Sequence, residues 1–472
     1  MPGAKQNRNS KPATLGELKN SGYQSVTVRN EMRRNLIRAM EVKAPLFEGI
    51  VGYEESVIPQ IQNAILAGQD LILLGERGQA KSRIIRSLVQ LLDAEVPIVT
   101  GSEINDDPLD PVSKYAQALV EEMGDDTPVE WIGRDRRYGE KLATPDISIA
   151  DLIGDIDPIR IAEGRYLSDE LAMHYGLIPR TNRGIFCINE LPDLAERIQV
   201  GLFNLMEERD VQIKGYRVRL PLDVVVVASA NPEDYTNRGR IITPLKDRYG
   251  AQVRTHYPRQ IAQEIDIMEA ERGRFEETES RVAVPRYMKE VIAEFTSLAR
   301  RHPEINQRSG VSVRVSIANY ETVLANALRR AIMMGEELAV PRPSDLSYIL
   351  SSTLGKIELE TMEEGREARV LEDLTKKAVL NIFDRTFSAA DFEGLLVAFE
   401  EGATLETGAD VPSKDYVNAL SRFPGFTEAV GRLDVGEDEA LIASGIEFVL
   451  EGLHLNRRLN RDRMEGRFRY RG

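Results

Sequence analysis

Lys81, Ser82, Asn189, Glu190 and Asn231 share one placement: each is a polar residue at or just beyond the end of an apolar run. In Asp70–Ser82, DLILLGERGQAKS, a short apolar strand breaks into a glycine-containing turn, and a helix starts near Lys81. The portion GERGQAKS nearly matches the pattern G-x-x-x-x-G-K-[ST]. In such a turn the backbone N–H groups point at phosphate oxygens. Lys81 would neutralise β- and γ-phosphate charge, and Ser82 would ligate Mg²⁺. Gly75 and Gly78 keep the turn open, and Ala80 stands where the pattern has its last glycine. A negative φ at Ala80 would let its methyl group fit without strain.

The second run, GIFCINEL, closes on Asn189-Glu190. Glu190 is placed to orient and polarise an attacking water. The residue before it is an aspartate in most phosphate-hydrolysing proteins of this pattern. Asn189 can accept a hydrogen bond from a magnesium-bound water but brings no charge. The expected consequence is a raised Mg²⁺ requirement, relieved by Asn189→Asp. A third run, DVVVVASAN, ends on Asn231, which could hold the lytic water. Two arginines could act on transition-state charge: Arg248 in PLKDRYG, from a neighbouring subunit, and Arg314 at a helix start in SVRVSIANY, in cis.

These residues need a scaffold. Continuous apolar strands alternating with helices predict a parallel sheet covered on both faces, a three-layer α/β core. VPIVTG (Val96–Gly101) is a further strand candidate, and VQIKGYRVRL reads as a hairpin. Residues 102–165 are polar and irregular, with one helical piece near Ser113–Met123, and read as an insertion. After Pro258 the period becomes helical: RYMKEVIAEFTSLARR, RVSIANYETVLANALRRAIMMG and DEALIASGIEFVLEGLHLNRRL are helices, and Gly402–Asp415 reads as a linker. The expected organisation is a mobile tail over 1–25, an α/β nucleotide-binding core over 26–260, a helical lid over 261–360 and a helical C-terminal extension over 361–472.

Composition narrows the function. The single cysteine excludes an internal disulfide and fits a reducing compartment; four scattered histidines argue against a His-built metal site. No apolar run approaches the roughly 18–20 residues of a membrane span. The polar N-terminus lacks the apolar stretch of a secretion signal, which points to the cytoplasm. A net charge of −15 argues against a general nucleic-acid binder. The ends are basic, with eight Lys/Arg against two acids in residues 1–38 and seven arginines after Leu455. They could meet a polyanion or an acidic partner, or lie solvated.

The motifs taken in order resemble the AAA+ clade that holds magnesium chelatase subunit I and the MoxR ATPases. FEGIVGYEE resembles the family's opening segment near the adenine. The segment from Asp151 to Leu191 that ends TNRGIFCINEL resembles the chelatase segment before its second strand motif, and SANPEDY and PLKDRYG resemble two later motifs. The resemblance implies an AAA+ P-loop αβα core with a helical lid. It implies ATP and Mg²⁺ as ligands. Nucleotide contacts fall on Val51, Gly75, Glu76, Arg77, Gly78, Gln79, Ala80, Lys81, Ser82 and Arg83. Ser82 and, through water, Asn189 are the metal-side residues. Ile185–Glu190 is Walker B, Asn231 sensor 1, Arg248 the arginine finger and Arg314 sensor 2. The family also implies a ring of identical subunits, commonly six, and a partner with a von Willebrand A domain. DLSYI (Asp345–Ile349) breaks that domain's D-x-S-x-S pattern at Ile349, so the partner domain is expected on another chain. Three functions compete: a chelatase-like ATPase that remodels a partner or drives metal insertion, a MoxR-like chaperone that matures a partner enzyme, and a non-hydrolysing nucleotide-dependent scaffold.

Overall fold

The computed structural model describes residues 11–156, 170, 173–208, 211–213, 216–218, 220–232, 239–306, 310–360, 365–423, 425–464 and 467–472. The chain divides into two compact units, Met1–Glu76 with Ala80–His256, and Arg77–Gln79 with Tyr257–Gly472.

The first unit runs α1 (Val28–Glu41), α2 (Val57–Leu66), β1 (Leu71–Leu74), α3 (Lys81–Ser87), β2 (Glu95–Val99), α4 (Lys114–Met123), β3 (Val129–Gly133), β4 (Tyr138–Leu142), β5 (Gly154–Ile156), β6 (Met173–Tyr175), β7 (Gly184–Asn189), α5 (Glu196–Glu208), β8 (Val211–Ile213), β9 (Tyr216–Val218), β10 (Val224–Ala230), α6 (Thr243–Arg248) and β11 (Ala251–Arg254). Five strands form one parallel sheet in the order β11-β1-β10-β7-β4. Alternate residues of each central strand enter opposite cores, as the two-residue strand period requires. Leu71, Leu73, Ile185, Cys187, Val225 and Val227 pack with apolar residues of α1, α2 and α3. Ile72, Leu74, Phe186, Ile188, Val224 and Val226 pack with Ile198, Leu202 and Leu205 of α5 and Leu245 of α6. This is the expected three-layer core.

A buried ion pair locks one corner. Arg137 and Glu31 are 1% and 2% exposed. Their contact is bidentate, at 2.8 and 2.5 Å, and Arg137 Nε donates to Arg183 O at 2.7 Å. The guanidinium therefore ties α1 to the start of β7. Gly184 opens that strand because any side chain there would meet the Arg137 carbonyl oxygen. Removing one partner of a buried pair leaves an uncompensated charge. Glu31→Ala is therefore expected to destabilise the first unit by about 3–5 kcal/mol. Urea unfolding followed through Trp131, the chain's one tryptophan, reads this directly.

Two expectations change here. Residues 102–165 are not irregular: β4 lies in the core sheet beside β7, and β2 pairs antiparallel with β3 outside it. β4 is an edge strand whose one buried position is Gly139, so it has no apolar run to announce it. Positions 157–165 of that segment lie outside the described residues. Residues 11–25, read as part of a mobile tail, contain a helix, Leu15–Asn20, capped by Thr14 and anchored by buried Leu15 and Leu18. Trp131 Nε1 donates to Pro12 O at 2.9 Å. The hairpin expected at VQIKGYRVRL is β8–β9, with positions 214, 215 and 219 outside the described residues.

The second unit contains α7 (Ile261–Glu271), α8 (Arg286–Ala299), α9 (Val313–Met334), α10 (Arg366–Thr386), β12 (Leu405–Gly408), α11 (Glu439–Leu455), β13 (Asn460–Met464) and β14 (Arg467–Arg471), with shorter helices between. One core joins them. α11 is apolar around most of its circumference and is buried for most of its length, as such a helix must be. Its two buried carboxylates are satisfied. Glu447 accepts from Ser344 N at 2.6 Å and Tyr416 OH at 3.1 Å, and Glu451 accepts from Arg461 and Tyr470.

The C-terminal region is helical as expected, with one addition. The supposed linker holds β12, which pairs with β14 in a three-stranded antiparallel sheet that also contains β13. The basic end is not simply solvated: Arg461, Arg467, Arg469 and Arg471 pair with Glu451, Glu406, Asp410 and Asp462 within the unit. Among the described residues no helix is long and apolar enough to cross a membrane.

Candidate nucleotide site

The central strands end level. Leu74 of β1 is in register with Ala230 of β10, and Ile188 of β7 with Ala228. Open parallel sheets bind ligands at this C-terminal edge. Lys81-Ser82, Asn189-Glu190 and Asn231 all follow strands that finish there.

The turn after β1 is held at its root, where Gly75 N–H donates to Ala230 O at 3.0 Å. Gly78 has φ +74°, which glycine adopts freely. Ala80 does not have the negative φ expected of it; its φ is +56°. That conformation costs an L-residue roughly 1–2 kcal/mol. Such strain collects at ligand sites, where surrounding structure enforces it. Lys81, the first residue of α3, is buried, and its ammonium donates to the carbonyls of Gly75 and Glu76 at 2.6 and 2.9 Å. The cation thus folds back over the loop that precedes it. Ser82 is half-buried, Glu76 half-buried, Gln79 buried and Arg77 exposed. The Arg83 guanidinium fills the space that a side chain on Gly49 would need. Gly49 lies in the turn closed by Ile50 N–H and Phe47 O, just before half-buried Val51, so the P-loop helix and that turn are packed together.

At the end of β7, Asn189 is buried and Glu190 is half-buried with φ +54°. Glu190 N–H donates to Ser229 Oγ at 3.2 Å, and the Ser229 hydroxyl donates to Asn189 Oδ1 at 3.1 Å. Glu140 of β4 lies on the other side of Asn189. Arg86 of α3 grips Glu140 with two hydrogen bonds, at 2.8 and 2.9 Å. Those bonds hold the Glu140 carboxyl below the usual carboxylate range. Asn231 is buried directly after β10.

The two arginines differ in placement. Arg248 ends α6 in the same unit. It is ion-paired with Glu207 of α5, and its guanidinium lies 5.3 Å from the Phe203 ring centre. Arg314 is the second residue of α9 in the second unit, exposed, with its backbone N–H donating to Ser312 Oγ at 3.1 Å. Sequence reasoning missed Glu140, Arg86 and Ser229. Their roles depend on strand register, such as Glu140 opposite Cys187, which no local pattern encodes.

Among the described residues no cluster of three or more His, Cys, Asp or Glu could hold a metal unaided. Mg²⁺ does not need one, since it keeps several waters and binds through a few hard oxygens plus substrate phosphates. Ser82 supplies an oxygen of that kind directly after the P-loop lysine, which fits Mg²⁺ bound with a nucleotide; Asn189 Oδ1 already accepts from the Ser229 hydroxyl and the Cys187 thiol.

No family model matches the chain. Over 266 residues it is 27% identical to the magnesium-chelatase subunit ChlI of a Nostoc species, covering 54% of this chain and 64% of that one. Over 258 residues it is 30% identical to the chloroplastic ChlI of Oryza sativa subsp. japonica, covering 50% and 55%. The chain thus spans less than two thirds of the length of these curated relatives. Among solved structures, a complex of the BchI and BchD subunits of magnesium chelatase aligns with a TM-score of 0.36 at 22% identity, covering 69% of this chain and 98% of that one. A P-loop after the first core strand, an Asn-Glu pair after its neighbour-but-one and this sequence likeness lead to one placement: the chain is an AAA+ protein related to magnesium-chelatase subunit ChlI.

Proposed function

We propose that the chain binds and hydrolyses ATP with Mg²⁺ in a ring of identical subunits and uses the cycle to remodel a partner protein. The observation that carries this reading is the shared sheet edge, where a P-loop lysine, an Asn-Glu pair and a buried asparagine follow strands ending in register. Gly75–Ser82, Arg83 and Val51 hold the nucleotide. Glu190 takes the proton of the attacking water, Asn231 positions that water, and Lys81 neutralises phosphate charge. Mg²⁺ would be held by Ser82, with Asn189 as its water-mediated neighbour, and would supply further positive charge against the phosphates. Arg248 serves a neighbouring subunit's site and Arg314 its own.

The relatives are subunits of a larger enzyme, which supports a partner on a separate chain, with a von Willebrand A domain as the proposed module. The client is either a metal-insertion enzyme or an enzyme matured by a MoxR-like chaperone. The compartment proposed is the cytoplasm.

Lys81→Ala tests the P-loop. Losing a charge-assisted contact of about 1.5–3 kcal/mol should weaken ATP binding roughly 10- to 100-fold. Titration with a fluorescent ATP analogue, beside a phosphate-release assay, measures it. Unchanged affinity would remove the assignment. A wild type that binds ATP tightly and releases no phosphate would select the non-hydrolysing scaffold instead.

A further inference from the structure

Asn189 first reads as an aspartate that lost its charge. Its surroundings give the amide a different meaning. Asn189 Nδ2 donates to Glu140 Oε1 at 2.5 Å, while Oδ1 accepts from the Ser229 hydroxyl at 3.1 Å and the Cys187 thiol at 3.6 Å. Ser229 Oγ in turn accepts the Glu190 N–H at 3.2 Å. Glu140 is anchored by Arg86 on one side and accepts from Tyr138 OH at 3.0 Å.

These bonds form one directional chain. From the Glu190 N–H, through the Ser229 hydroxyl and the Asn189 amide, every donor points towards the Glu140 carboxylate. Such chains polarise their members and strengthen one another. The link at position 189 must accept from a hydroxyl and donate to a carboxylate at once. An amide does both, whereas an ionised aspartate only accepts. Aspartate at 189 would set two carboxylates at hydrogen-bond distance with no donor between them. The amide and the carboxylate are therefore a matched pair across β7 and β4. Arg86, on the helix that begins with Lys81, fixes the carboxylate end.

We propose that Glu140 is a positioning residue of the nucleotide site: it sets the Asn189 amide with its carbonyl towards Ser229 and, through Ser229, holds the main chain at Glu190. The proposal rests on the reading of this edge as an ATP site. It reverses the effect first expected of Asn189→Asp, which becomes damaging rather than restorative.

Exchanging the pair is the test. Asn189→Asp, Glu140→Gln and the double variant are compared in three measurements: thermal unfolding without nucleotide, binding of a fluorescent ATP analogue across a Mg²⁺ series, and steady-state phosphate release. In the double variant the new amide on β4 donates to the new carboxylate on β7; Arg86 loses its Nη2 bond to the atom that becomes the amide nitrogen and keeps its Nε bond to the remaining oxygen. The bond between the two strands is rebuilt in the opposite direction, and the Ser229 hydroxyl keeps its acceptor. Asn189→Asp alone is expected to lower the unfolding temperature and to cut kcat about 10- to 100-fold, the scale of a small misplacement at a reacting centre. KM for ATP should move much less. The double variant is expected to recover part of both losses, short of wild type because one of the two Arg86 bonds is gone. Asn189→Asp at or above wild-type turnover, or a double variant no better than Asn189→Asp, overturns the proposal. Recovery of stability without recovery of kcat reduces the pair to a structural contact and also overturns it. A wild type that binds no ATP at any Mg²⁺ concentration overturns the site reading itself, a result separate from any coupling seen in unfolding.

Discussion

Glu190→Gln is expected to cut Mg²⁺-dependent phosphate release by about 10²–10⁴-fold, the usual contribution of a positioned general base. ATP affinity should stay close to wild type, because glutamine keeps the size of the side chain and the backbone hydrogen bond to Ser229 is unaffected. The position justifies the size of the effect. Glu190 directly follows β7 with a left-handed φ, and the next residue, Leu191, is fully buried. The main chain is thus held on both sides of a strained residue, which is how a reacting group keeps one position. Single-turnover phosphate release and equilibrium nucleotide binding separate the two effects. Equal, slow release by wild type and variant, with both binding ATP, would leave the protein without hydrolytic function.

The second large effect concerns Arg248. Arg248→Ala should lower turnover by about 10³-fold or more, the range of an arginine finger, and leave ATP binding largely intact. Folding stability should hardly change, because a partly exposed ion pair such as Arg248–Glu207 contributes about 0–1 kcal/mol. That pair has a further consequence: for Arg248 to serve a neighbour, Glu207 must release it. Subunit mixing tests the trans arrangement. Glu190→Gln and Arg248→Ala subunits assembled together create some interfaces with both groups intact. Phosphate release by the mixture should exceed that of either variant alone, and a mixture no better than its parts would remove the trans role.

Much of the core was legible because its strands are buried on both faces. LILL, GIFCIN and VVVVASA need no partner knowledge to be recognised, and the polar residues closing each run lie at one edge of the sheet. The failures share a cause. β4 reads YGEKL, too polar and short to stand out, because an edge strand buries less. β12 reads LETG, and it is a strand because β14 pairs with it from the far end of the sequence. Glu140 was missed with β4, and with it the reason for an amide at 189. Ala80 shows a different limit: a residue type does not disclose its φ, and the methyl group judged acceptable in one region of backbone space occupies another. Local pattern disclosed the burial of elements, while pairing between distant segments and backbone strain stayed outside its reach.

The chain's one thiol sits in the middle of this edge. Cys187 is fully buried in β7, and burial pushes its pKa up to about 12. At neutral pH it is a silent group, reached by a reagent only when the helices α1, α2 and α3 lift from that face of the sheet. Alkylation kinetics therefore count the openings of the core that covers the strand ending in Asn189. Any ligand that binds the closed edge makes those openings rarer. The protein thus contains its own clock for the opening of its central sheet, at a position where no label has to be engineered.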